Sequence, residues 1–244
     1  MERVAILGST GTIGRTLAAS LVARGDEVLL LGRNADKLAA LAGELRQPWA
    51  VCDCSQSESL RSAIAESMSD APLSGLVNCV GSLLLKPAHA TSDEDFRQCI
   101  ETNLFSAFAT VRAAGLLMRA RGGSVVLIAS AAAHHGLQNH EAISAAKAGI
   151  VGLARSAAAT YANANIRFNV VSPGLTRTEL TRRIWDNPTS AAASLEMHPL
   201  GRLGEAHHVV SACAWLLDPA NDFTTGQVLQ VDGGLANVAP KRRG

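Results

Sequence analysis

The 244-residue sequence has almost no tyrosine and almost no net charge. Tyr161 is its single tyrosine, and 22 Lys and Arg residues against 21 Asp and Glu residues leave a formal charge of +1. Because nucleic-acid binding needs a basic surface, this balance argues against nucleic acid as a partner. An apolar fraction of 48% argues equally against a disordered chain.

The sequence also lacks the features of secreted, zinc-binding and membrane proteins. Its cysteines are odd in number, which does not fit a disulfide framework, and their spacing does not fit a zinc site. The apolar run near the N-terminus is too short for a signal-peptide core, and Arg112 and Arg155 interrupt longer apolar stretches. We expect a cytoplasmic protein with no metal site, no membrane contact and five free thiols, at Cys52, Cys54, Cys79, Cys99 and Cys213.

Short apolar segments alternate with longer helical segments along the whole chain. The strand candidates are 3–7, 27–31, 48–52, 75–79, 124–129, 166–171 and 227–231. Helices are expected near 13–24, 35–46, 56–68, 93–120, 141–162 and 205–217. Continuous apolar strands between helices indicate an α/β fold, a doubly wound parallel sheet of seven strands with helices on both faces. We expect one domain over residues 1–244, with a lid over the substrate pocket near 175–204.

A glycine-rich turn joins the first predicted strand to the first predicted helix. Its glycines permit a tight turn and let backbone N–H groups at the helix N-terminus approach a pyrophosphate. In this position of a βαβ unit the pattern predicts dinucleotide binding in a Rossmann-type fold. The candidate contacts are Gly8, Thr10, Gly11, Thr12, Ile13 and Gly14.

The end of the second strand bears on the choice between NAD and NADP. The chain reads Gly32-Arg33-Asn34 there and has no acid to accept a hydrogen bond from the 2′-hydroxyl of NAD. Arg33 stands where a 2′-phosphate would sit, whereas Asp36 fits the first turn of the next helix. The pattern favours NADP, with NAD as the alternative.

Several further motifs resemble those of the short-chain dehydrogenase/reductase family, including its 3-oxoacyl-[acyl carrier protein] reductases. Asn78-Cys79-Val80-Gly81 is similar to the family's turn after the fourth strand, and Val51-Cys52-Asp53 to its adenine-contacting segment. Pro173-Gly174 and Thr176 match the segment that holds the nicotinamide carboxamide, and the resemblance runs from Gly8 to Gly234. It implies further cofactor contacts by Asp53, Cys54, Asn78, Val80, Gly81, Lys147, Pro173, Gly174 and Thr176.

The same resemblance implies catalytic residues, with one departure. Ser130 matches the family's catalytic serine, Asn103 the asparagine that supports the active-site lysine, and Lys147 the lysine of the Tyr-x-x-x-Lys signature. Four residues before Lys147 the chain has Ile143 instead of tyrosine, and Tyr161 lies fourteen residues beyond Lys147, too far along the helix to replace it.

Reduction of a carbonyl needs a proton donor, which isoleucine cannot be. His140 shares a helical face with positions 143 and 147, and imidazoles titrate near neutrality, so it is the first candidate. His134, His135 and a water held by Ser130 and Lys147 are the others. We expect an NADP-dependent oxidoreductase acting on a carbonyl or alcohol; the alternatives are a catalytically silent cofactor-binding sensor or partner protein and a non-redox lyase-type enzyme.

The expected partners are a small-molecule substrate and further copies of the chain. The resemblance implies a homodimer or homotetramer formed through the two long helices near 93–120 and 141–162. The segments around the predicted pocket are mainly apolar, as in most small-molecule sites.

Overall fold

A computed structural model of the protein, which describes residues 2–68 and 72–239, contains one seven-stranded parallel sheet with the strand order β3-β2-β1-β4-β5-β6-β9. The predicted doubly wound α/β fold is confirmed. The strands of this sheet and of a two-stranded ribbon, β7–β8, are β1 (Arg3–Leu7), β2 (Glu27–Gly32), β3 (Trp49–Val51), β4 (Gly75–Asn78), β5 (Gly123–Ile128), β6 (Ile166–Pro173), β7 (Thr176–Arg177), β8 (Gly204–Glu205) and β9 (Val228–Val231).

The helices differ from the predicted ones in two places. They are α1 (Thr12–Ala23), α2 (Ala35–Leu45), α3 (Ser57–Ser67), α4 (Asp93–Ile100), α5 (Ser106–Leu117), α6 (Glu141–Tyr161), α7 (Arg182–Trp185), α8 (Pro188–Met197) and α9 (Ala206–Leu217). The predicted helix over 93–120 is divided between α4 and α5 by a π-helical turn at Glu101–Phe105. The predicted lid segment contains the ribbon strands and both short helices, α7 and α8.

Successive strand residues supply the two faces of the sheet with apolar side chains. In β1, Ala5 and Leu7 join the cluster that α3, α5 and α6 cover, whereas Val4 and Ile6 join the cluster beneath α1, α2 and α9. This alternation explains why β1 is apolar at each position from Val4 to Leu7 instead of at every second one.

The strand order reverses beside β1, which lies between β2 and β4. Leu7 is in register with Leu31 of β2 and with Asn78 of β4, so three loops leave the sheet side by side. Doubly wound sheets bind ligands in the crevice outside the carboxyl ends of their strands at such a reversal. The glycine-rich turn therefore opens onto the place where a ligand site is expected.

Within residues 2–68 and 72–239, no helix has the length and apolar character needed to cross a membrane. The same residues contain no group of three or more His, Cys, Asp or Glu side chains arranged to hold a metal ion.

Candidate functional site

The glycine-rich turn is closely packed at two of its three glycines. Gly8 has a φ of +72°, and a Cβ there would approach the backbone of Cys79 and Val80 to 3.0 Å. A Cβ at Gly14 would overlap the carbonyl oxygen of Gly8. Both positions therefore require glycine, because the turn presses against the loop after β4 and against the first turn of α1.

The N-terminus of α1 is open to an anion. Gly11 precedes the helix, no side chain of the described residues caps it, and its first turn contains no acid. By contrast, α2 and α4 are capped by Asn34 and Ser92. The free N–H groups and the positive end of the helix dipole fit a pyrophosphate, which is the part of a dinucleotide this turn is expected to hold.

A cleft of about 200 Å³ continues from this turn across the ends of β2, β3 and β4. Seven of the predicted cofactor contacts lie on its wall, namely Gly8, Gly11, Arg33, Asp53, Cys54, Val80 and Gly81. Cys79 and Thr102 also line it, although the sequence did not single out either as a contact. Thr10, Thr12 and Ile13 belong to the turn without lining this cleft.

The charged groups of the cleft match a nucleotide that carries an amino group and a phosphate. Ser55 donates hydrogen bonds from its backbone N–H (3.0 Å) and hydroxyl (2.7 Å) to the Asp53 carboxylate. These bonds, with the nearby charge of Arg33, hold the pKa of Asp53 below its usual range. Asp53 is thus kept as an acceptor beside Arg33, a cation that can meet a phosphate.

Asn78 supports the site without reaching the cleft. Its side-chain oxygen accepts a hydrogen bond from the Val80 N–H (2.8 Å), and its amide donates to the hydroxyls of Ser106 (3.2 Å) and Thr110 (3.0 Å). Since both ends of this buried amide are satisfied inside the protein, the side chain fixes the turn that carries Val80 and Gly81.

The side chains of Asn103 and Lys147 both lie next to Gly81. A Cβ at Gly81 would lie 3.3 Å from the Asn103 side-chain oxygen and 3.6 Å from Lys147 Nζ. Asn103 sits in the π-helical turn and accepts a hydrogen bond from the Ser82 N–H (3.2 Å). Lys147 Nζ donates to the Ile128 carbonyl (2.9 Å), and burial lowers its pKa to about 8.

A second cavity, of about 590 Å³, lies between the loop after β5 and the segment that contains α7 and α8. Ser130, His140 and Ile143 share its wall. The Ser130 hydroxyl accepts a hydrogen bond from the Ala132 N–H (3.2 Å), so its own proton remains available to a ligand. Most of the remaining wall is apolar, with Leu83, Leu85, Leu137, Ile184, Met197 and Leu235.

The histidines considered from the sequence are placed differently. His140 lies at the start of α6, and its Nδ1 is 2.6 Å from the Gln138 carbonyl. A carbonyl can only accept, so Nδ1 carries the proton and Nε2 is the nitrogen left for a ligand. His134 instead bonds through Nε2 to the buried Ser172 hydroxyl (3.2 Å), and neither His134 nor His135 lines the cavity.

Ile143 occupies an apolar corner. It is 3% exposed and packs with Cys99, Ala142 and Ala146 between α4 and α6. Ile143 therefore provides no hydroxyl at the position where the resemblance implies a tyrosine.

The loop that leaves β6 lines the second cavity, and a buried histidine that the sequence did not single out supports it. Gly174 packs so closely against His198 that a Cβ would lie 2.7 Å from its Nε2. His198 donates from Nδ1 to the Ser194 carbonyl (2.6 Å) and accepts from the Leu175 N–H (3.2 Å). Both ring nitrogens are thus used in holding α8 against the strand end that carries Pro173, Gly174 and Thr176.

Comparisons with known proteins match nearly the whole chain. A family model described as enoyl-(acyl carrier protein) reductase matches residues 8–236. The chain is 34% identical to galactitol 2-dehydrogenase (L-tagatose-forming) of Cereibacter sphaeroides, over 94% of this chain and 93% of that protein. It is 35% identical to the mouse 3-oxoacyl-[acyl-carrier-protein] reductase, over 96% and 98%.

Solved structures show the same fold. A gluconate 5-dehydrogenase from Burkholderia cenocepacia, solved in complex with NADP and tartrate, superposes with a TM-score of 0.93 at 30% identity, covering 98% of this chain and 96% of that one. A short-chain type dehydrogenase/reductase from Mycobacterium ulcerans also gives 0.93 at 30% identity, covering 98% and 91%. Matches of this extent show that the chain belongs to the short-chain dehydrogenase/reductase family of oxidoreductases.

Proposed function

We propose that the protein is an NADP-dependent oxidoreductase that interconverts an uncharged carbonyl compound and its alcohol, with His140 as the proton donor and acceptor. One observation carries this proposal. Ser130 and His140 line the same cavity as Ile143, which cannot exchange a proton, and as Gly174, one of the predicted cofactor contacts.

The cofactor assignment is supported by the glycine-rich turn and by Arg33. The open end of α1 would hold the pyrophosphate, Asp53 would accept from the adenine amino group, and Arg33 would pair with the 2′-phosphate. Pro173, Gly174 and Thr176 would hold the nicotinamide end, and Lys147 the ribose. When bound, the nicotinamide gives or accepts a hydride.

The cavity supports an uncharged substrate. Among the described residues on its wall there is no Lys, Arg, Asp or Glu side chain. Arg177 and Arg182, which could have met an acid, instead pair with Glu205 and Glu179 at the surface. A carboxylate or phosphate brought into this cavity would lose its hydration and would meet no Lys or Arg side chain on the described wall, which is unfavourable.

In this reaction Ser130, His140 and Asn103 have different roles. The Ser130 hydroxyl donates to the substrate oxygen, because its oxygen accepts from the Ala132 N–H while its proton stays free. His140, oriented by the Gln138 carbonyl, gives a proton from Nε2 in reduction and takes one in oxidation. Asn103, bound to the Ser82 N–H, keeps the chain beside Lys147 in place.

Ile143 favours one other function. If His140 does not exchange protons, the protein would bind the cofactor without turnover and act as a sensor or a partner subunit. The two functions separate cleanly, because both require NADPH binding and only the first consumes NADPH in the presence of a carbonyl compound.

We also propose that the chain assembles as a homodimer or homotetramer. Four large apolar side chains on α4, α5 and the turn between them are 42% to 58% exposed, namely Phe96, Phe105, Phe108 and Leu116. An apolar patch of this kind on a folded chain indicates a protein interface. A second copy that presents the same helices would cover it, consistent with the commonest symmetry of oligomers.

Arg33→Ala should weaken NADPH binding by about tenfold to a hundredfold, because one charge-assisted contact with the 2′-phosphate is lost. NADH binding should stay within about twofold. The measurement is titration of the reduced cofactors by fluorescence. Arg119→Ala is the matched control, because Arg119 is exposed and precedes β5 at the opposite end of the sheet. If Arg33→Ala weakened NADPH and NADH binding equally, the proposed contact of Arg33 with the 2′-phosphate would be wrong.

His140→Gln should lower the rate of NADPH-dependent carbonyl reduction by about 10²–10⁴-fold while leaving NADPH affinity unchanged, because only the proton donor is lost. His135→Gln, at an exposed position off the cavity, is the control. A parental rate in His140→Gln would exclude the role of His140.

The mass in solution tests assembly. We expect light scattering to give two or four times the chain mass of 25.4 kDa. Phe105→Glu with Phe108→Glu should shift the mass toward the monomer, because charge in an apolar interface is strongly unfavourable. Phe223→Glu, at a fully exposed position, should leave the mass unchanged. A monomeric parent would contradict the proposal.

A further inference from the structure

Two cysteine thiols are in contact at the adenine end of the cofactor cleft. Cys52 and Cys54 follow β3 with one residue between them, and their Sγ atoms are 3.7 Å apart. In an extended segment, residues two apart place their side chains on the same side, which explains the contact. Both side chains are at most 4% exposed and pack into the cluster beneath α3.

The pair lies next to residues that are predicted to contact the cofactor. Cys54 lines the cleft beside Gly8, and Asp53, the expected adenine contact, is the residue between the two thiols. A small molecule in the cleft can therefore meet Cys54 when no cofactor covers it. The rest of the turn is well anchored, because the Cys52 N–H donates to the Gly32 carbonyl (2.9 Å).

The contact also favours sulfur chemistry at this pair. The hydrogen bond shared with Cys54 lowers the pKa of the Cys52 thiol, which increases its thiolate fraction, whereas the same bond and burial raise the pKa of Cys54. A thiolate beside a second thiol is the arrangement in which an oxidised sulfur can be captured by its neighbour.

We propose that Cys52 and Cys54 form an oxidisable dithiol site whose disulfide weakens cofactor binding. The oxidant is a small peroxide that enters the cleft. One thiol takes an oxygen atom from the peroxide to become a sulfenic acid, and the peroxide's other oxygen leaves as water or alcohol. The second thiol attacks the sulfenic sulfur, forms the S–S bond and releases water, so two thiols are oxidised and one peroxide is reduced.

The disulfide requires the two sulfur atoms to approach from 3.7 Å to the bond length of about 2.05 Å. Because Asp53 lies between the cysteines, this contraction displaces its carboxylate and moves Cys54 relative to Gly8. The consequence for NADPH rests on the proposed function, whereas formation of the disulfide does not.

To test this proposal, the reduced protein is treated with hydrogen peroxide in the presence and in the absence of saturating NADPH. Without NADPH we expect the intact mass to fall by about two daltons, for loss of two hydrogens, with the bond mapped to residues 52 and 54. NADPH affinity should fall by about tenfold and return after reduction with dithiothreitol, and prior NADPH should slow the mass change. Cys52→Ser should show no two-dalton loss, and peroxide treatment should leave its NADPH affinity at the value measured before treatment.

Formation of sulfinic or sulfonic acids at either cysteine with no disulfide would overturn the dithiol site. A Cys52–Cys54 disulfide with unchanged NADPH affinity would overturn its link to cofactor binding. If the reduced parent binds neither NADPH nor NADH, the proposed function fails, and with it that link. The mass measurement then still decides whether the dithiol site exists.

Discussion

The close approach of the glycine-rich turn to the loop after β4 is the constraint on which the site depends. Gly8 lies against the backbone of Cys79 and Val80, and Gly14 lies against the Gly8 carbonyl, so neither position has room for a side chain. This contact brings the open end of α1 to the reversal point of the sheet. It also brings Gly81 next to the side chains of Asn103 and Lys147.

The proposed chemistry also depends on the apolar surroundings of Ile143. Since isoleucine cannot exchange a proton, our proposal assigns proton exchange to His140 and a hydrogen bond to the substrate oxygen to Ser130, which both line the second cavity. Lys147 stays buried, bonded to the Ile128 carbonyl, with its pKa lowered to about 8. In our proposal, proton exchange moves from a phenol to an imidazole one helical turn away.

Much of the fold could be predicted from the sequence, because the central strands β1, β2, β4 and β5 are runs of mainly apolar residues that the sheet buries on both faces. The π-helical turn at Asn103 could not, since one extra residue leaves a helical period nearly unchanged. The choice between His134 and His140 also required coordinates, because only the structure shows His134 bound to Ser172. His198 gave no signal, since a lone histidine in a polar segment is as common at the surface as in a buried bond.

Proton transfer by His140 in place of the missing tyrosine is the central claim, and a double variant tests it most directly. The measurement is the steady-state rate of NADPH oxidation with a panel of uncharged ketones for His140→Gln and for His140→Gln combined with Ile143→Tyr. If His140 replaces the phenol, the first variant loses turnover and the added tyrosine, four residues before Lys147, restores it. Turnover by His140→Gln at the parental rate would contradict the claim.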